Sequence, residues 1–163
     1  MRRFYPVFHI LGLIVLIFGL TMLAPLAVSA YAQDGATAAY DEAIVVTMGV
    51  GLLLWVCTRR YRQDLRVRDG FLLVALTWTI LPLFASLPLL LFLPDISFTD
   101  AYFEAASGLS ATGATVMSGL DSLPLSINFW RTFLHWLGGM GVIVLAVAIL
   151  PLPGIGGRAM FKA

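Results

Sequence analysis

Between Ser107 and Asp121 the chain reads SGLSATGATVMSGLD, and this is the stretch whose residue types could do chemistry. Its centre, Ser110-Ala111-Thr112-Gly113-Ala114-Thr115, holds no acid–base pair and no nucleophile beside a base. What it offers is backbone. Small side chains leave main-chain carbonyls accessible, and carbonyls turned toward an axis can replace the hydration shell of a cation. Gly113 admits torsions closed to other residues. On composition alone the same run is equally a surface turn followed by a flexible loop, because Gly, Ser and Thr gather in loops. Both readings stand until the surrounding elements are placed.

The rest of the chain carries little reactive chemistry. Cys57 is the single cysteine, so no intrachain disulfide forms. His9 and His135 are far apart and have no Cys cluster near them, so a metal site of the usual His/Cys type is not expected. No Gly-rich phosphate loop, Ser/His/Asp set or HExxH pattern occurs, and an enzyme is not expected. A net charge of +1 gives no surface for nucleic acid.

The elements that must position the Gly/Ser/Thr run are membrane helices. Of the 163 residues 60% are hydrophobic and 12% charged, about half the charged share of a soluble domain. The apolar residues form four runs: Val7 to Val28, Ala43 to Cys57 (extended toward Tyr40), Phe71 to Leu93, and Phe129 to Leu150. Most approach the roughly 20 residues that span a bilayer. The expected fold is therefore an all-α membrane protein with four transmembrane helices, in contact with lipid, plus one re-entrant helix and an extended loop. Arg2-Arg3 followed by an apolar stretch and Ala30-Tyr31-Ala32 also has the form of a cleavable signal. The stretch is longer than a signal core, which favours a retained helix.

Charge sets the topology. Arg59, Arg60, Arg62, Arg66 and Arg68 place the segment from Thr58 to Gly70 in the cytoplasm. Arg2 and Arg3 put the N-terminus on the same side, and Arg158 and Lys162 the C-terminus. Asp34, Asp41 and Glu42 suit an external loop. With four crossings, the segment from Pro94 to Asn128 leaves and returns on the outside.

Inside that segment, Ser97 with Asp100 marks a helix start. Phe98, Ala101, Tyr102, Ala105 and Ala106 give it an apolar face, and Gly108 is the expected terminator. About 10 residues make a helix of about 15 Å, half a membrane. Extended backbone after it, at membrane depth, is tolerated only within protein or along water. Asp95, Asp100, Glu104 and Asp121 would raise the local concentration of cations, steering them to the loop.

The half-membrane helix, SGLSATGATV and then FWRTFLHWLGGMGVIVLAVAILPLPGIGG resemble the first pore repeat of the Trk/Ktr/HKT potassium transporters, specifically the TrkH branch. The resemblance covers nearly the whole chain. It implies two parts: residues 1–70, an extra N-terminal helix pair with the Arg-rich loop, and residues 71–163, the first helix–pore loop–helix repeat. It further implies potassium uptake by ion symport in the bacterial cytoplasmic (inner) membrane. The transported K+ would be coordinated by the carbonyls of Ala111 and Thr112, with Ser110, Gly113, Ala114 and Thr115 completing the selectivity filter. Glycine at position 113 goes with potassium selectivity, and serine there with sodium passage in some relatives. Ser110 and Ala111 replace a Thr-richer opening, which removes any hydroxyl contribution at Ala111.

The family's chain is roughly three times as long and joins four such repeats around one ion path. This chain is therefore expected to be a truncated part, partnered by three further repeats. A homodimer of the full protein and a TrkA-like cytosolic nucleotide-binding subunit are also implied. A non-conducting membrane assembly partner and a homotetrameric channel are the alternatives. Among single residues, Gly138, Gly139 and Gly141 are expected to allow close helix packing. Arg131 and His135 lie one turn apart, with Asp121 or Glu104 as the expected partner. Trp55, Trp78, Trp130 and Trp136 are expected as interfacial anchors.

Overall fold

The computed structural model describes residues 5–59 and 67–149, and these contain helices and no strand. Seven α-helices follow one another: α1 (Tyr5–Thr21), α2 (Leu23–Ala32), α3 (Thr37–Thr58), α4 (Val67–Ala85), α5 (Leu87–Phe92), α6 (Phe98–Leu109) and α7 (Leu125–Ile149). Among the described residues, three stretches are long and apolar enough to cross a membrane: Tyr5–Ala32, Thr37–Thr58 and Arg68–Phe92. Most of the arginines used for the topology (Arg2, Arg3, Arg60, Arg62, Arg66 and Arg158, with Lys162) lie outside the described residues.

Two of the apolar runs are broken helices, and proline accounts for both breaks. The first run divides at Met22, three residues before Pro25, which has no amide to give the Thr21 carbonyl. The third divides at Ser86, with Pro88 in the opening turn of α5, while Pro82 lies inside the continuous α4. Carbonyls near this second break are taken up from outside. The Tyr102 hydroxyl donates to the Thr79 oxygen at 3.1 Å, and the Trp130 indole donates to that of Ala85 at 2.9 Å. Trp130 is thus no interfacial anchor. It is fully buried, because its one polar atom is needed at a helix break.

The fourth run starts earlier than expected, at Leu125. Its first half carries Asn128, Arg131 and His135, and these residues are occupied inside the protein rather than in lipid. Elsewhere the helices approach through small residues. A Cβ on Gly12 would lie 2.9 Å from the Trp55 amide nitrogen, and one on Gly51 3.0 Å from that of Leu16, so α1 and α3 touch backbone to backbone. The buried core joins Phe18 and Met22 to Tyr40, Leu89, Trp130 and Leu134, bringing the first helices against the last.

One polar knot secures this arrangement. Asp34 accepts the Ser29 hydroxyl and the Ala36 amide with one oxygen, and the Ser126 amide with the other, at 2.9 Å. The Tyr40 hydroxyl donates to the Ser126 carbonyl at 2.9 Å. Both main-chain groups of Ser126, at the start of α7, are therefore held by the N-terminal helix pair. Burial raises the Asp34 carboxyl, but the hydrogen bonds from Ser29, Ser126 and Ala36 outweigh it and leave the group below its ordinary value.

Candidate functional site

The site begins with a capped helix. Ser97 has extended backbone, and its Oγ accepts the Asp100 amide at 3.1 Å while donating to Asp100 Oδ2 at 2.8 Å. The cap expected from the sequence is present. α6 then runs 12 residues, about 18 Å, still roughly half a bilayer. Gly108 does not end it. The helix passes through Gly108 to Leu109, and the glycine is needed for contact instead: a Cβ there would meet Leu134 Cβ at 2.8 Å.

The helix ends by a backbone device. The Ala111 amide donates to the Gly108 carbonyl at 2.8 Å, and the Thr112 amide to that of Ser107 at 2.9 Å. This is the Schellman pattern, whose left-handed residue is usually glycine. Here it is Ala111, with φ 55°. A β-carbon in that region costs about 1–2 kcal/mol. Gly113 is also left-handed, at φ 77°, where glycine is at ease. The two turns swing the main chain back on itself between positions 110 and 114. Among the described residues, no hydrogen bond reaches the carbonyls of Ala111, Thr112 or Gly113. The next one, Ala114, is taken by the Ser107 hydroxyl at 2.7 Å. Residues 110–116 are exposed in this chain.

The return limb is held from behind. Glu104 Oε1 accepts the Thr115 hydroxyl and the amides of Val116 at 2.7 Å and Met117 at 3.2 Å. Its Oε2 accepts Arg131 Nη2 at 2.9 Å and Nε at 3.1 Å. The Glu104 side chain is 3% exposed and that of Arg131 14%. Arg131 therefore pairs with Glu104, one of its two expected partners. This also corrects the steering role expected of Glu104. A carboxylate buried and neutralised in this way has little field left for ions outside. Asp95 and Asp121 stay exposed, and Asp100 is half-buried at the helix cap.

α7 presses against the end of α6 at Gly138, where a Cβ would lie 2.1 Å from the Leu109 carbonyl oxygen. The packing role expected of the glycines holds there and, more loosely, at Gly141 against Trp78, whereas nothing lies within 4 Å of a Cβ on Gly139. Beside this contact α1, α4 and α7 border an apolar cavity of about 500 Å³ that includes Phe18, Trp78 and Leu109. Its hydroxyls, on Thr21 and Thr77, each bond a carbonyl of their own helix, so it offers an ion nothing. The candidate site is the loop.

A half-membrane helix that ends in unpaired carbonyls between two longer helices is a pore-loop arrangement. A family model named TrkH and described as a cation transport protein matches residues 36–163. The chain belongs to the TrkH family. It is 49% identical over 157 residues to the Trk system potassium uptake protein TrkH of Halomonas elongata, covering 96% of this chain and 33% of that protein. It is 45% identical over 162 residues to TrkH of Escherichia coli K12, covering 99% and 34%. The crystal structure of the potassium transporter TrkH from Vibrio parahaemolyticus superposes with a TM-score of 0.85 at 49% identity, covering 95% of this chain and 33% of that one. The chain thus spans about a third of the length of the relatives it matches. It is a multi-pass, all-helical membrane protein of the TrkH type.

Two contacts around the TrkH loop had no distinct signal in the sequence. Ser107 reads as an ordinary small helix residue, and its tie to Ala114 depends on the turn between them. Asp34 reads as a loop acid, and its bond to Ser126 spans 92 positions.

Proposed function

We propose that this segment is the first pore repeat, with its preceding helix pair, of a potassium uptake transporter in the bacterial cytoplasmic membrane. K+ is bound by the carbonyls of Ala111 and Thr112, with Ser110, Gly113, Ala114 and Thr115 forming the rest of one filter strand. The supporting observation is the row of unpaired carbonyls at Ala111, Thr112 and Gly113, held at the end of a half-membrane helix by the Schellman turn. Carbonyls without partners at that depth need a cation or water. The potassium uptake named for the relatives supports the choice of ion.

One strand gives part of a coordination cage, and three further repeats complete it. Residues 1–70 serve as a brace and residues 71–163 as the conducting repeat. The Arg-rich segment between Thr58 and Gly70 faces the cytoplasm. Dimerisation of the full transporter and docking of a TrkA-like nucleotide-binding subunit belong to the same reading. Competitive rubidium uptake against sodium, in a full-length transporter carrying this segment, tests it. Gly113→Ser at matched expression should lower the preference for rubidium several-fold. An unchanged preference would remove the filter assignment.

A further inference from the structure

One turn of α7 backs the filter strand twice. Arg131 does so through Glu104, on the return limb. His135 does so directly, behind Gly113. Its Nε2 lies 4.0 Å from the position a Cβ on Gly113 would take. Its other ring nitrogen, Nδ1, is 2.9 Å from the Arg131 carbonyl oxygen. A carbonyl only accepts, so Nδ1 carries the hydrogen and Nε2 of the neutral ring is a bare acceptor.

We propose that His135 is a specificity-determining positioning residue of the filter: its ring, oriented by the Arg131 carbonyl, closes the space behind Gly113 and presents an acceptor there. The proposal rests on the reading of residues 110–115 as a potassium filter. A Cβ on Gly113 would meet one atom within 4 Å, His135 Nε2, at ordinary van der Waals contact. A strand that yields on this side soon meets the ring, and the carbonyl positions that select the ion depend on that limit. The same geometry makes a chemical statement. A serine at position 113 places its hydroxyl one bond beyond that carbon, within hydrogen-bonding reach of Nε2, about 2.7–3.2 Å. His135 then holds the hydroxyl on the α7 side, away from the ion path. Without the ring the hydroxyl is free to turn inward.

The test uses a full-length transporter carrying this segment, with competitive rubidium and sodium uptake. The variants are Gly113→Ser, His135→Ala and the two combined, with His135→Gln and His135→Asn as probes of reach. His135→Ala should lower the rubidium preference several-fold while largely keeping the maximal rate. His135→Gln, whose amide oxygen reaches toward Gly113, should recover much of it. His135→Asn, which keeps a donor for Arg131 but ends short of Gly113, should not. The double variant should fall below the product of the single effects, as expected for side chains in contact. An unchanged preference in His135→Ala, or single effects that simply multiply, would overturn the proposal. If the alanine variant fails to reach the membrane, equal preference in the Gln and Asn variants would overturn it. A parent without rubidium preference overturns the filter reading itself, and the parent alone reports that.

Discussion

The two limbs of the filter loop are held by different means. The entering limb, from Ser110 to Gly113, is held by main-chain amides that fold back on the last carbonyls of α6. The return limb, from Ala114 to Met117, is held by side chains: Ser107 and Glu104 of α6, with Arg131 of α7 behind them. The division has a consequence. Both limbs donate amides, but the entering limb keeps the carbonyls of Ala111, Thr112 and Gly113 free, whereas the return limb gives that of Ala114 to Ser107. A limb secured by a buried carboxylate spends its amides on an ion pair and gains stiffness. On the proposed reading, ion binding and bracing are thus separated within a few residues.

Breaking the brace should have the largest effect. Glu104→Gln keeps the shape but gives Arg131 no carboxylate and leaves fewer acceptors for Thr115, Val116 and Met117. Removing one partner of a buried ion pair costs about 3–5 kcal/mol. The variant of the full-length transporter should lose most thermal stability in detergent and nearly all rubidium uptake. Removing the second charge sharpens the point, since Glu104→Gln with Arg131→Gln should be more stable than Glu104→Gln alone. If Glu104→Gln unfolds at the parent's temperature, the return limb is held by something other than this carboxylate.

The entering limb should respond in the opposite direction. Ala111 sits left-handed in a position built for glycine. Ala111→Gly removes the cost of the β-carbon, offset in part by the freedom glycine loses on folding. The net gain should be below about 1 kcal/mol. A small upward shift in the unfolding midpoint, with the rubidium preference unchanged, is the expected result. A loss of preference would mean that the alanine methyl itself shapes the ion path.

The contrast between the limbs also marks what could be read from the sequence. Ser97 and Asp100 announced the helix start, because a cap is a local signal. Length and apolarity announce the membrane helices, and the family resemblance points to the loop after α6 as the proposed filter. The end of α6 does not follow from residue type. Gly108 has the residue type of a terminator, but its role is set by Leu134, which lies far along the chain. Ala111 has no composition that marks a left-handed residue, and only the two amide bonds reveal it. Glu104 read as an external acid because its neighbours are external acids. Its burial follows from Arg131 being brought across by α7. Trp130 was misplaced for the same kind of reason, since the carbonyl it serves was freed by a break in another helix. Signals carried by neighbouring residues are legible, and of those that need two distant elements to meet, the Arg131–Glu104 pair and the close packing at Gly138 are, while the rest are not.

The smallest effect should come from a residue that belongs to neither limb. Asp121 lies in the 3-10 turn Leu120–Ser122, exposed beyond the return limb. It can act on a cation only through its field, which raises local concentration and is screened within about 8 Å at physiological salt. Asp121→Asn should therefore lower uptake modestly at low external rubidium and low ionic strength. The deficit should shrink as an impermeant salt is added, and the maximal rate should stay with the parent. Preference for rubidium over sodium should not move, because a distant charge attracts both ions alike. If the variant shifts the preference, selection occurs nearer the outer acids than the free carbonyls of the entering limb. If the deficit persists at high salt, Asp121 touches the ion and the path begins on the return side of the loop.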